Sequence, residues 1–97
     1  MKSYFLHDVR NSNAASLGAS LASVLPGQSN PWILFHNGVD PVAYFNVITD
    51  EDGERGDIIP PAICADISGR HYNGDQAVID ILSDIQKTLD GKIFYAP

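Results

Sequence analysis

The sequence predicts an α+β fold with α/β-like helix crossovers: one five-stranded mixed sheet with two helices packed on it. Three observations predict it. Five short apolar runs, rich in β-branched and aromatic residues, are typical of strands. Two other segments repeat their apolar residues at helical spacing. The segments follow one another in the order β-α-β-β-β-α-β, which is typical of a small sheet covered by helices.

The first half of the chain begins with a short strand at Tyr4-Phe5-Leu6. The helix that follows carries Leu17 and Leu21 at helical spacing, but Gly18 and several serines between them lower its helix propensity. The next segment, Trp32-Ile33-Leu34-Phe35, is a continuous apolar run. Such a run predicts a strand that is buried on both faces.

A tight turn is expected after that run, because Asn37-Gly38 is a strong signal for a β-hairpin. The segment from Val42 to Ile48 then forms the third strand. Ile63 to Ile67 forms the fourth, and it contains the only cysteine, Cys64. Within an apolar strand, this cysteine is expected to be a small buried residue rather than a reactive thiol.

The second helix has the clearest pattern in the chain, with a stripe of apolar residues at helical spacing between Val78 and Leu89. Asp75 is expected to cap it, and Gly91 to end it in a left-handed conformation. Ile93-Phe94-Tyr95 is the last strand. The order of elements resembles a ferredoxin-like split β-α-β arrangement with one added strand.

Length and composition limit the kinds of function. The 97 residues predict a single domain, residues 1–97, whose small core would benefit from association. Six basic residues face twelve acidic ones, and the net charge of −6 disfavours nucleic acid and favours a basic protein partner or a metal cation. A single cysteine excludes an intrachain disulfide, and no apolar run is long enough to span a membrane, so we expect a cytoplasmic location.

All three histidines stand at or just after the end of an apolar run. Helix crossovers join parallel strands, so the first, second and fourth strands are expected to run in one direction. His7, His36 and His71 would then share one rim of the sheet, at the strand ends where ligands commonly bind. The predicted ligand-binding residues of this rim are His36, Asp40, Arg70 and His71, with Arg70 taking any small anionic group.

The second and third strands are apolar on both faces, whereas two helices cover about one face of a five-stranded sheet. Either the helices lie on opposite faces, or they share one face and the other meets a second subunit. The second arrangement predicts a homodimer through a sheet face.

The sequence therefore predicts a small, non-enzymatic binding or interaction module whose partner is a protein or a second copy. No cofactor or metal is predicted and no catalytic residue can be assigned, because no nucleotide, metal or nucleophile motif is present. Two alternatives remain open. One is a small enzyme or metal-binding protein that uses the same His/Asp/Arg rim. The other is an acidic neutraliser of a basic protein, of the immunity or antitoxin type.

Overall fold

The computed structural model describes residues 2–10, 14–28, 31–49, 61–69 and 73–96. Its elements, in chain order, are β1 Ser3–His7, α1 Ala14–Val24, β2 Trp32–His36, β3 Asp40–Ile48, β4 Ala62–Ile67, α2 Asp75–Leu89 and β5 Lys92–Ala96. The predicted α+β class and the order of elements are confirmed.

The five strands form one sheet in the order β2-β3-β4-β1-β5, and each strand is antiparallel to its neighbours. The crossover through α2 joins β4 to β5, which run in the same direction with β1 between them. The crossover through α1 relates β1 to β3 in the same way, with β4 between them. The arrangement is thus ferredoxin-like with β2 added at one edge, and its parallel strands are never hydrogen-bonded neighbours, which is where it differs from the expected mixed sheet.

The directions of β1 and β2 correct the prediction about the histidines. These strands run in opposite directions, because the parallel counterpart of β1 across α1 is β3 rather than β2. We call the end where β2, β4 and β5 finish the upper rim, and the opposite end the lower rim. His36 lies at the upper rim, whereas His7 ends β1 at the lower rim, so the two do not share a rim.

Both helices pack on the same face of the sheet, which we call the helix face. Its core joins buried leucines of α1 to an apolar stripe of α2 and to inward-facing residues of β1, β3 and β4. Burying one such large aliphatic side chain contributes about 1.5–3 kcal/mol. The principal members are Leu17, Leu21, Val78, Leu82, Ile85, Leu6, Phe45 and Ile63.

The other face, which we call the open face, has a smaller apolar cluster. Phe5, Ile48, Ala62 and Cys64 form its buried centre, as predicted for the cysteine. Neither helix contributes to this cluster. Within the part of the chain that is described, therefore, the open face is built from strand residues only.

Strand positions also correct one burial prediction. The run Trp32–Phe35, expected to be buried on both faces, belongs to the edge strand β2, in which only Trp32 is buried. The central strand is β4, whose residues are almost all buried. A continuous apolar run therefore did not distinguish an edge strand from a central one.

The turn and cap predictions had mixed outcomes. Asn37 and Gly38 both have positive φ angles, as a type I′ hairpin turn requires. Gly91, after α2, has a φ of 94°, as expected. The N-terminal cap of α2 is Gly74 rather than Asp75, which is the first helical residue. Neither described helix is long and apolar enough to cross a membrane.

Candidate functional site at the upper rim

The β2–β3 hairpin brings two of the predicted ligand-binding residues together. His36 ends β2 and Asp40 begins β3, and the two are direct cross-strand partners. Because opposite residues of an antiparallel pair have Cβ atoms about 4.5–5.5 Å apart, the imidazole and the carboxylate occupy one end of the hairpin. His36 is exposed and Asp40 is half-buried.

Exposed apolar residues accompany this pair. Phe35 is 40% exposed, and Val39, next to the turn, is 73% exposed. The register of the hairpin pairs Leu34 with Ala43 and Phe35 with Pro41, so Val42 is an additional residue, a β-bulge. A bulge bends its strand and changes the direction of the side chains beyond it, and it commonly lies next to a functional site. We call Phe35, His36, Val39 and Asp40 the hairpin end.

The other residues of the predicted rim do not extend this group within the described residues. Arg70 and His71 lie outside the described part of the chain. His7, at the lower rim, packs edge-on against Phe94 with ring centroids 6.4 Å apart. Among the described residues there is no group of three His, Cys, Asp or Glu side chains that could hold a metal ion.

A second polar group at the upper rim was not predicted. The Tyr4 hydroxyl donates a hydrogen bond of 2.6 Å to one carboxylate oxygen of Asp75, and the Lys2 ammonium donates one of 3.0 Å to the other. These contacts join the start of β1 to the start of α2. Tyr95 of β5 packs against Tyr4, with ring centroids 4.9 Å apart.

Ionisation of this group follows from its hydrogen bonds. The hydrogen bond to Asp75 is the main cause that raises the pKa of Tyr4 from 10.0 to about 12, and burial is the second cause. The hydrogen bond from Tyr4 and, as the second cause, the hydrogen bond from Lys2 lower the pKa of Asp75 below its ordinary value. At neutral pH the group is therefore a neutral phenol and an ammonium held by one carboxylate. It ties β1 to α2 and is a structural element of the rim.

Asp66 is also used within the fold. It lies opposite Ser3 in the β1–β4 ladder, and the Ser3 hydroxyl donates a hydrogen bond to its Oδ1. The Cys64 thiol donates to the same oxygen at a distance of 3.6 Å. This carboxylate therefore satisfies two donors on the open face.

Sequence reasoning found the hairpin pair because it depends on a local turn. It missed the contacts of Lys2 and Tyr4 with Asp75, because they join residues more than 70 positions apart. The only available signal was an acidic residue at a helix start. Comparisons of the chain with protein-family models, with curated proteins and with solved structures found no match.

Proposed function

We propose that this protein is a small, non-enzymatic interaction module that binds a protein partner with its hairpin end. The supporting observation is the exposure of Phe35 and Val39, the residues that directly precede His36 and Asp40 in the chain. A hairpin tip with apolar side chains beside an imidazole and a carboxylate can place an apolar anchor in a pocket and fix its orientation with polar contacts. Arg70 and His71 remain in the proposal as contact residues inferred from the sequence.

The net charge favours a partner of basic character. Twelve acidic residues against six basic ones give this chain a charge of −6, which accelerates encounter with a positive surface. We therefore propose a partner surface with a shallow apolar pocket surrounded by Lys or Arg side chains. This retains the basic target of the neutraliser alternative.

We further propose a cytoplasmic location. The chain has one cysteine, Cys64, which is buried, so no intrachain disulfide can form. Small domains of oxidising compartments commonly depend on disulfides, whereas reducing compartments keep thiols reduced. The homodimer through a sheet face remains a prediction, and pairing through a sheet edge is its alternative; the open face is the sheet face available for it. It is supported by the placement of both helices on the other face.

Selection from a displayed library of random peptides tests the hairpin proposal with a defined probe. Selected peptides are expected to combine basic and apolar residues and to shift the amide resonances of residues 35–40 in a labelled sample. Val39→Ser is expected to weaken their binding about tenfold or more, or at least ~1.4 kcal/mol, because the exposed isopropyl group is the anchor.

Ala22→Ser on the exposed side of α1 is the matched control, and it should leave the affinity unchanged. The proposal is wrong if the selected peptides shift amides elsewhere, or if Val39→Ser binds as tightly as the unmodified protein.

A further inference from the structure

The two edges of the sheet differ in whether they can accept another strand. At the β2 edge, the side-chain amide of Gln28 pairs with the backbone of Ile33. Its Oε1 accepts from the Ile33 N–H and its Nε2 donates to the Ile33 carbonyl, both at 2.9 Å. A side chain thus occupies the backbone groups that a further strand would need. Natural sheets protect their edges by devices of this kind.

The β5 edge has no such cover within the described residues, where β5 is the last strand of the sheet. It is also apolar: Phe94 is 47% exposed and Tyr95 is 42% exposed. Lys92, at one end, is the only charged residue of the strand. An uncovered edge strand with exposed aromatic side chains is a template for pairing with another strand.

We propose that two copies of this chain pair through β5. The two strands are antiparallel about a two-fold axis that is perpendicular to the sheet and passes beside Phe94. The result is one continuous ten-stranded sheet with all four helices on the same side. This proposal does not depend on the hairpin end, and it assigns self-association to an edge rather than to the open face.

Side-chain alternation restricts the register to a few choices. Opposite residues in an antiparallel ladder lie on the same face, and neighbours along a strand lie on opposite faces, so a symmetric pair must be centred on one residue. Centring on Phe94 pairs all five residues of β5, whereas centring on Ile93 or Tyr95 pairs only three. Phe94 then lies opposite its own copy, and Lys92 lies opposite the partner's Ala96.

The chemistry of this register is self-complementary. On the open face, Phe5 and Phe94 have ring centroids 6.1 Å apart, and the two-fold axis extends this pair into a row of four phenylalanines. On the helix face, Ile93 lies opposite the partner's Tyr95. No charged residue of β5 faces its own copy, so the pairing avoids the like-charge contacts that destabilise cross-strand pairs.

The helices leave room for this arrangement. Helix α2 contacts β1, β4 and β5, so it lies over the β1 region of the sheet. With strands about 4.8 Å apart, α2 is then about 7 Å from the two-fold axis and about 14 Å from its copy. Packed helices need only about 8–10 Å, so the two do not clash.

Substitution of Phe94 tests the axis directly, because this residue is expected to meet itself. Phe94→Lys and Phe94→Asp each place two like charges opposite one another, and each variant should sediment as a monomer where the unmodified protein forms dimers. An equimolar mixture of the two variants should form dimers again. Ala22→Lys, at an exposed position of α1, is the matched control and should leave the dimer intact.

A second measurement does not depend on these variants folding normally. Phe94→Cys should form a dimer on mild oxidation, linked by a disulfide between the two introduced thiols, because the Cα atoms of opposite residues, about 4.5–5.5 Å apart, lie within disulfide range. The buried Cys64 should stay reduced. An unmodified protein that stays monomeric at the highest attainable concentration overturns the proposal. So does a mixture of charged variants that does not associate, or Phe94→Cys protein that cross-links no better than Val39→Cys.

Discussion

Single side chains decide how the upper rim is held together. Asp75 begins a helix, where a carboxylate is favourable on electrostatic grounds alone. It also accepts hydrogen bonds from Tyr4 and Lys2, which fasten the start of β1 to α2. Tyr4 is buried, so replacing its hydroxyl would remove the shorter of these two bonds.

Tyr4→Phe is expected to lower the free energy of unfolding by ~1–2 kcal/mol at neutral pH, because Asp75 loses a hydrogen-bond donor. Chemical denaturation measures this directly. Tyr44→Phe, on β3, is a matched control that leaves the bond in place. Equal stability losses in the two variants would contradict the role given to the Tyr4 hydroxyl.

Because of the hydrogen bond between Tyr4 and Asp75, the stability of the folded protein depends on pH in the alkaline range. The folded-state pKa of Tyr4, about 12, exceeds the ordinary value of 10.0, so the contribution is fully present below pH 10.0 and is lost as the pH rises through about 12. Denaturation at increasing pH should show this loss in the unmodified protein but not in Tyr4→Phe. The lowered pKa of Asp75 implies a corresponding loss in acid, below its ordinary value of 3.8.

At the scale of elements, the success of sequence reasoning depended on how local each signal was. The apolar stripe of α2 and the Asn37-Gly38 turn are local, and both were predicted correctly. The relative direction of β1 and β2 has no local signal in the sequence. It depends on which later strand lies parallel to β1 across α1, and that strand is β3.

The candidate site shows the same division. The pairing of His36 with Asp40 follows from the turn between them. The expected presence of His7 on the same rim required the directions of all the strands, and it was wrong. The sequence could not show which edge of the sheet is left unprotected. The protection of the β2 edge depends on a side-chain contact of Gln28, which only the structure shows.

Two glycines, Gly18 within α1 and Gly91 between α2 and β5, should respond in opposite ways to replacement by alanine. A Cβ at Gly18 would lie 3.5 Å from the Trp32 ring, an ordinary contact, so Gly18→Ala should stabilise α1 by about 0.5–1 kcal/mol. Gly91 has a φ of +94°, and a Cβ there would lie 2.7 Å from the His7 carbonyl oxygen. Gly91→Ala should therefore destabilise the protein by roughly 2–3 kcal/mol.

Thermal and chemical unfolding of the two variants make this comparison. A destabilised Gly18→Ala protein would mean that α1 and Trp32 are packed more tightly than the distances indicate. An unchanged Gly91→Ala protein would contradict the close approach of the backbone after α2 to the end of β1.

At the scale of the whole molecule, one protected edge and one unprotected edge limit edge-to-edge assembly to pairs. Gln28→Ala removes the side chain that occupies the backbone of Ile33 and leaves a second edge able to accept a strand. Assemblies larger than dimers are then expected at high protein concentration, and sedimentation velocity would detect them. Gln76→Ala, on the surface of α2, is the matched control and should add no such species.

The separation of β2 and β5 at opposite edges has a further consequence for a pair joined at β5. The two-fold axis places the hairpin ends of the two copies about 40 Å apart, at opposite corners of the combined sheet and pointing away from each other. A compact target cannot be held by both at once, so dimerisation adds no avidity toward a single molecule. Such a pair is instead suited to bridging two separate targets, as a bivalent adaptor does.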